Sequence, residues 1–289
     1  MIPELDPTQV HRVEFSPDCR VNVTDEELLE HLAINIRRGL PQALPYQPND
    51  EVVLLVAGGP SLAQTEKELV EAYWRGGKVV AVNGAYQWCI DRNIRPSAFI
   101  MLDGREFNAR FAETPVEDCN YLLGSECHPR VFEICRDRTI TLWHPLNAGE
   151  KSLEVLEKFY FDRKNCFPVT LGTTVTIRAI SVLRMLGFTR FDIFGLDSCY
   201  LDGAHHAYAQ PENDREDVRE VWLRPEGRDD LAQRFTCSIW QAKQFEDFLE
   251  LLKERSNLFQ LNVRGPGLIA TAMRIGIDSD GEVDIGEGE

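Results

Sequence analysis

The chain has 289 residues, of which 43% are hydrophobic and 27% are charged, and its formal net charge is −16 at pH 7. This balance is typical of a globular protein with one large core. The acidic charge argues against a nucleic-acid duplex as a partner, because neutralising phosphates requires a basic surface. The sequence contains no run of about 20 apolar residues, the length of a membrane span. Its first residues also lack the basic and apolar regions of a secretion signal. We therefore expect a cytoplasmic protein that acts on small ligands.

The cysteines give no sign of a disulfide framework. All eight are scattered through the sequence without a CxxC pair, which favours reduced, mostly buried thiols. Cys119, Cys127 and Cys135 lie near His128, but their spacing lacks the close pairing of zinc ligands. The sequence therefore predicts no zinc site.

The first fifty residues contain one clear helix. Thr24 and Glu27 form a capping-box pattern before the apolar residues Leu28, Leu32 and Ile36. We interpret residues 1–48 as a small N-terminal helical appendage.

From Glu51 onward the pattern alternates between strand and helix, which predicts a mainly parallel sheet with right-handed crossovers. The predicted fold is α/β, a Rossmann-like doubly wound sheet with helices on both faces, spanning residues 49–275. The predicted elements are strand 52–57, helix 61–75, strand 78–82, helix 84–92, strand 97–102, further units at 120–123, 128–136, 139–143 and 151–160, helix 173–186, strand 190–195, helix 237–255 and strand 258–263.

Two polar stretches stand apart from this alternation. Residues 209–230 carry two prolines and many charges, and we expect a mobile lid there. Residues 276–289 are strongly acidic, and we expect a solvated tail.

The most informative motif is the apolar run 51–57 followed by Gly58, Gly59, Pro60 and Ser61. An unbroken apolar run suits a strand buried on both faces, and the two glycines permit a tight turn into a helix. Free N–H groups at the start of that helix would attract a phosphate, although an ordinary strand-to-helix turn has the same pattern. The third glycine of a dinucleotide fingerprint and the Gly-Lys-Ser/Thr of a P-loop are both missing, which argues against NAD and against a Walker-type nucleotide site.

Other polar residues follow predicted strands, and ligands of open parallel sheets bind beyond the carboxyl ends of the strands. The candidates at this edge are Asn83, Gly84, Asp103, Arg105, Gly195, Asp197 and Tyr200. Gly172, Thr173 and Thr174 begin a long helix and offer a second anion cradle, or simply its N-cap.

The segment 194–208 gathers groups able to do chemistry after one strand. It includes Asp197, Tyr200, His205, His206 and Tyr208, which can take a proton, donate to a phosphate oxygen or hold a metal. We expect this segment to be functional.

The order of several short motifs resembles one family over about residues 50 to 270. They are Gly58–Leu62 (GGPSL), Val82–Ala85 (VNGA), Arg95–Asp103 (RPSAFIMLD), Phe194–Asp197 (FGLD) with His206–Ala207 beyond it, and Asn262–Gly267 (NVRGPG). The sequence resembles the MptE-like family, which includes archaeal hydroxymethylpterin diphosphokinases and the motility accessory factors (Maf) implicated in flagellin glycosylation. The first and fourth motifs also look like those of bacterial sialyltransferases that use CMP-sugars and share a modified Rossmann sheet.

The resemblance implies roles for individual residues. Gly58, Gly59, Pro60 and Ser61 would hold the nucleotide phosphate, and Asn83 would contact the ribose or base. Asp197 would shape the pocket, Tyr200 and Tyr208 would donate to the leaving phosphate, and His206 or His205 would be the base. In the sialyltransferases the base lies further along the chain, whereas no histidine follows His206 here.

Three hypotheses follow from the resemblance. The first is a glycosyltransferase that uses a CMP-activated, sialic-acid-like sugar and an acceptor hydroxyl on a glycan or protein, with no metal. The second is a 6-hydroxymethylpterin diphosphokinase that uses ATP and Mg²⁺, with Asp103 and Asp197 as metal ligands. The third is a nucleotide-binding module without catalytic activity. No permanently bound cofactor is predicted.

Overall fold

A computed structural model describes residues 23–160, 166–213, 218–223, 232–255, 258–275 and 283–286. Its centre is a parallel sheet of eight strands in the order β10-β7-β1-β2-β3-β4-β5-β6. These strands are β1 (Asn49–Val56), β2 (Lys78–Val82), β3 (Ala98–Met101), β4 (Asn120–Gly124), β5 (Thr139–Pro145), β6 (Pro168–Val169), β7 (Phe188–Phe194) and β10 (Gln260–Val263). The expected α/β Rossmann-like fold is confirmed.

The helices cover both faces of this sheet. They are α1 (Asp25–Ile36), α2 (Leu62–Trp74), α3 (Ala85–Ile90), α4 (Pro129–Ile134), α5 (Glu150–Phe159), α6 (Val175–Met185), α7 (Ile239–Arg255) and α8 (Leu268–Ile275). The chain runs outward from β1 through β6 and then returns to the other side of β1 as β7. This reversal opens a crevice beyond the carboxyl ends of β1 and β7, where open α/β sheets bind ligands.

The two faces of the sheet bury two separate cores. Val53 and Leu55 of β1 face the core shared with α6 and α7, whereas Leu54 and Val56 face the core shared with α2 and α3. Because successive side chains of a strand point to opposite faces, an unbroken apolar strand serves both cores.

A second, antiparallel sheet has the order β11-β8-β9, formed by β8 (Val218–Leu223), β9 (Gln233–Ser238) and β11 (Val283–Gly286). Its residues Val221, Leu223 and Cys237 are buried in the core that includes α7. Both polar stretches contain a strand that the sequence did not indicate: β8 lies within the expected lid, and β11 lies within the expected solvated tail. The rest of the tail and residues 214–217 and 224–231 are outside the described residues.

The sequence missed other short elements as well. The 3₁₀ helix Glu106–Ala112 and the helix α8 were not expected, and β9 was not separated from α7. The 3₁₀ helix places Asn108 and Phe111 beside the crevice.

The capping box of α1 is confirmed. The Glu27 backbone N–H donates to the Thr24 hydroxyl at 3.2 Å, and the Thr24 N–H donates to the Glu27 carboxylate at 2.9 Å. The Asn35 side chain donates to the carbonyls of Ser125 (3.0 Å) and Cys127 (2.8 Å) just beyond β4. These bonds attach α1 to the main sheet.

The seven cysteines of the described ranges are free thiols. Within the same ranges, no cluster of three or more histidine, cysteine, aspartate or glutamate side chains is placed to hold a metal ion. No helix in the described part of the chain is long and apolar enough to cross a bilayer.

A chain of hydrogen bonds through Tyr121 and Tyr86 fixes the segment that follows the 3₁₀ helix. The Val116 N–H donates to the Tyr121 hydroxyl (3.1 Å), the two hydroxyls lie 2.6 Å apart, and the Tyr86 hydroxyl donates to the Thr114 carbonyl (2.9 Å). Both tyrosines are buried, so a broken link leaves an unpaired polar group without water.

We predict that Tyr86→Phe and Tyr121→Phe each lower the free energy of unfolding by about 1–3 kcal/mol. The double variant should cost clearly less than the sum, because both changes break the same chain of bonds. Urea denaturation of all four proteins measures the coupling, and additive costs would contradict it.

Candidate functional site

A cavity of about 190 Å³ lies beyond the carboxyl ends of β1, β2, β3 and β7. One wall comes from the ends of β2 and β3 and the 3₁₀ helix, and the other comes from the first turns of α6 and α7. The segment 205–210 contributes to the lining as well. The lining residues used below are Gly58, Gly59, Asn83, Asp103, Arg105, Phe111, Thr174, Asp197, Ser198, His205, His206, Tyr208, Ser238, Trp240, Gln241 and Gln244.

Asp197 is a deeply buried acid of this cavity. It is 2% exposed, and its Oδ2 accepts a hydrogen bond from the Ser61 backbone N–H at 2.8 Å. Its Oδ1 has no hydrogen-bond partner among the described groups. Burial raises the pKa of this carboxyl to about 6, while the bond from Ser61 acts in the opposite direction.

Three glycines give the Asp197 carboxylate its space. A Cβ on Gly59 would collide with Asp197 Oδ2, and a Cβ on Gly267 would lie 2.6 Å from both its Cα and its Oδ1. Gly265, with φ of +101°, packs against Ser61 in the same way. The glycines of the GGPS and RGPG motifs therefore make room for one buried acid and the turn it holds.

At the start of α2, where the sequence predicted a phosphate cradle, most donors already have protein partners. The Gly59 N–H donates to the Gly195 carbonyl (2.8 Å), the Ser61 N–H donates to Asp197, and Pro60 has no N–H. A carboxylate at a helix N-terminus is itself favourable, so the protein supplies the anion that the sequence assigned to a ligand. In the described part of the chain, the Gly58 N–H has no protein acceptor.

Tyr208 lies directly over the glycine turn. A Cβ on Gly58 would collide with the Tyr208 hydroxyl, and a Cβ on Gly84 would lie 2.5–2.8 Å from its ring and hydroxyl. No group of the described residues forms a hydrogen bond with this hydroxyl, and burial raises its pKa above the ordinary tyrosine value. The Tyr208 hydroxyl is therefore a neutral donor in the cavity.

His205 and His206 form a hydrogen-bonded pair beside Tyr208. Their Nδ1 atoms lie 2.6 Å apart, so one nitrogen must carry the proton and the other must accept it. Burial, reinforced by the neighbouring His205, lowers the pKa of His206 to about 4. The His206 ring centroid lies 5.5 Å from that of Tyr208. His206 is therefore unprotonated on one ring nitrogen at pH 7.

Asn83 and Asp103 form the wall at the ends of β2 and β3. Asn83 adopts a left-handed backbone conformation with φ of +43°, which places its side chain at the cavity. Both Asp103 oxygens accept bonds from the Arg105 guanidinium (3.0 and 2.8 Å), and Oδ2 also accepts from Asn108 at 2.5 Å. Asp103 therefore holds Arg105 at the cavity lining.

The expected second anion cradle is already occupied by protein groups. The Thr173 N–H and hydroxyl both donate to Asp247 at 2.6 Å. The Gly172 carbonyl accepts a bond from the buried Arg178, and the Thr174 hydroxyl accepts one from Gln244 at 2.7 Å. Of the three residues, only Thr174 lines the cavity.

Two further expectations differ from the structure. Tyr200 is not among the cavity-lining residues; its ring contacts His205 at 5.8 Å between centroids. Asp103 and Asp197 do not fit a shared magnesium site, because Arg105 and Asn108 bind the first and the α2 terminus binds the second. We derive no metal-dependent step from them.

Sequence reasoning missed the wall at the start of α7. Ser238 and Gln241 cap this helix reciprocally: the Ser238 N–H donates to the Gln241 side chain (2.9 Å), and the Gln241 N–H donates to the Ser238 hydroxyl (3.3 Å). The Ser-x-x-Gln pattern was the available signal for this helix start. Nothing in the sequence indicated that Trp240 and Gln244 face the cavity.

We predict that Asp197→Asn changes the pH dependence of stability. The folded protein holds the Asp197 proton more tightly than the unfolded chain, whose aspartate pKa is about 4. The free energy of unfolding of the parent protein should therefore fall, relative to the variant, by about 1 kcal/mol per pH unit between pH 4 and 6. Above pH 6 the difference should be constant.

Denaturant unfolding of both proteins at half-unit pH intervals measures this difference. A difference that does not vary between pH 4 and 6 would contradict the assignment. The asparagine variant keeps a side-chain oxygen for the Ser61 N–H, so its loss of structure is not expected.

Comparison with known proteins places the chain. No curated protein sequence matches it. Among solved structures, it is similar to the Maf glycosyltransferase from Magnetospirillum magneticum AMB-1, with a TM-score of 0.62 and 15% sequence identity. The match covers 85% of this chain and 37% of that enzyme, so the chain spans little more than a third of the enzyme's length. At this identity the likeness concerns the fold.

The family model described as 6-hydroxymethylpterin diphosphokinase MptE-like matches residues 26–203, more than half of the chain. This range includes the glycine turn, the β2 and β3 wall, Asp197 and Tyr200. The chain belongs to the MptE-like family.

Proposed function

We propose that the chain is a glycosyltransferase that uses a nucleotide-activated sugar, with a CMP-linked, sialic-acid-like donor as the first candidate. One observation carries the proposal: the Tyr208 hydroxyl and the Gly58 N–H, neither of which has a partner among the described residues, lie together at the switch point of the sheet, beside the neutral His206. The similarity of the fold to a Maf glycosyltransferase supports it.

The donor phosphate is assigned to the Gly58 and Tyr208 side of the cavity. Two neutral donors on the same side of the cavity would stabilise the charge that develops on the leaving phosphate oxygen. Arg105, held by Asp103, adds a cation on the same wall. Asn83 is placed to contact the ribose.

The histidine pair is assigned the proton of the acceptor. The acceptor hydroxyl oxygen forms a bond to the anomeric carbon, and the bond from that carbon to the phosphate oxygen breaks, so that CMP leaves with the electron pair. The hydroxyl proton passes to the unprotonated ring nitrogen of His206, with His205 as the alternative acceptor. Because burial keeps the pKa of His206 near 4, this nitrogen is unprotonated at neutral pH.

A diphosphokinase is the second candidate, because the matching family model carries that description. It requires ATP with Mg²⁺ and a pterin alcohol as acceptor. We rank the diphosphokinase below the glycosyltransferase because the carboxylates of Asp103 and Asp197, its expected metal ligands, already bind protein groups. A nucleotide-binding module without turnover is the third outcome.

The first experiment measures thermal stabilisation by CMP, CDP, UDP, GDP, ATP and AMP, each with and without Mg²⁺. A ligand that binds only the folded state raises the apparent stability. Stabilisation by CMP that does not depend on Mg²⁺ supports the sugar transferase, whereas stabilisation by ATP that requires Mg²⁺ overturns it in favour of the diphosphokinase. Release of CMP from a CMP-sugar then separates an enzyme from a binding module.

We predict that Tyr208→Phe lowers kcat for CMP release about 100-fold or more, the cost of removing one oxyanion donor. The matched control is Tyr46→Phe, because Tyr46 is 74% exposed and lies outside the cavity lining. The control should keep the parent kcat. Equal kcat values for the parent and the Tyr208 variant would show that the Tyr208 hydroxyl does not take part in the reaction.

We predict that kcat/KM of the Asp197→Asn variant, in which the buried acid of the cavity cannot titrate, shows no loss between pH 8 and pH 5.5. The pKa of His206 lies near 4, so lowering the pH in this range does not protonate His206. A pH–rate profile with CMP-sugar tests this, with His206→Gln expected to lose most of the activity. A fall in kcat/KM with a midpoint near 6.5 would contradict His206 as the base.

A further inference from the structure

We propose that Trp240 is the stacking platform for the pyrimidine base of the donor nucleotide. This assignment rests on the proposed function and extends it to a residue outside the recognised motifs. Trp240 lies in the first turn of α7, is half-buried and lines the cavity.

The wall around Trp240 is held rigid by its own hydrogen bonds. Gln244 accepts from the Ser198 hydroxyl at 2.8 Å and donates to the Thr174 hydroxyl at 2.7 Å, which joins α7 to the loops before α6 and after β7. Asp247, one turn further, accepts both bonds from Thr173 and pairs with Lys243 at 2.9 Å. A platform on this wall is therefore fixed before the ligand arrives.

Within the described ranges, the Trp240 indole differs from two other tryptophans in its contacts. Among the described residues, no aromatic ring, cation or hydrogen-bond acceptor contacts it, whereas Trp143 donates to the Leu122 carbonyl at 3.1 Å and Trp88 stacks under Arg92 at 3.9 Å. Aromatic side chains that line a cavity without such partners offer their faces to a ligand.

The chemistry of this wall favours a base over a sugar. The side-chain oxygens of Gln241 and Gln244 each already accept one hydrogen bond, from the Ser238 N–H and the Ser198 hydroxyl respectively, so they are partly committed to the protein. A planar base binds through its face and does not need these acceptors. Every base has such a face, so the contribution of Trp240 should be the same for cytosine and uracil.

The phosphate side of the cavity lies on the opposite wall. Gly58, Asn83, Arg105 and Tyr208 belong to the ends of β1, β2 and β3 and to the segment packed on the α3 side of the sheet. Trp240 and Thr174 belong to the α6 and α7 side. A nucleotide that spans the cavity places its phosphate at the first wall and its base at the second.

Isothermal titration calorimetry with CMP, UMP and ribose 5-phosphate tests the assignment. Trp240→Ala should raise the Kd of CMP and of UMP about 10- to 100-fold, the loss of one base–aromatic stack. It should leave the Kd of ribose 5-phosphate unchanged, since that ligand has no base. Trp240→Phe should restore most of the affinity, and Trp74→Phe, which changes a 73% exposed residue outside the cavity lining, should have no effect.

Each other outcome overturns the assignment in a different way. If Trp240→Ala leaves the nucleotide Kd unchanged, Trp240 does not stack on the base, and the proposed function is unaffected. An equal loss for all three ligands shows a structural role for Trp240, and an effect confined to the acceptor KM places an acceptor sugar there. If the parent protein binds no pyrimidine nucleotide, both the role of Trp240 and the proposed function are wrong.

Discussion

The burial of the Asp197 carboxylate is the constraint on which the rest of the site depends. Its bond to the Ser61 N–H joins the end of β7 to the start of α2, and Gly59 and Gly267 leave it space that a Cβ would fill. The acid thereby fixes the switch point of the sheet. It also occupies the helix terminus that would otherwise attract a phosphate, which moves the available donors to Gly58 and Tyr208.

The second wall of the cavity is organised by α7. Gln244 and Asp247 bind the loops that precede α6 and follow β7, so one helix positions groups from two other segments of the chain. The antiparallel sheet leads directly into this helix through β9. Part of the region that the sequence presented as a polar lid is therefore a structural support for the site, and Trp240 is presented by that support.

The sequence was sufficient for most of the parallel sheet and for one wall of the cavity. Periodicity and glycine punctuation predicted most of the parallel strands, because apolar runs buried on both faces have few alternative interpretations. The sequence also placed Tyr208, His205 and His206 at the edge of the sheet where the carboxyl ends of the strands lie. It could not show that Ser61 and Thr173 already have protein partners, because Asp197 and Asp247 are distant in sequence. Short strands such as β8 and β11 lie in charged segments whose pairing depends on tertiary contacts.

A crystal structure of the chain with CMP is the most direct test of the central claim, that a nucleotide binds to the donors left open by Asp197. The account predicts a phosphate within hydrogen-bonding distance of the Gly58 N–H and the Tyr208 hydroxyl, with the bond between Ser61 and Asp197 intact. A phosphate bound to the Ser61 N–H, with the Asp197 carboxylate displaced from the start of α2, would contradict it.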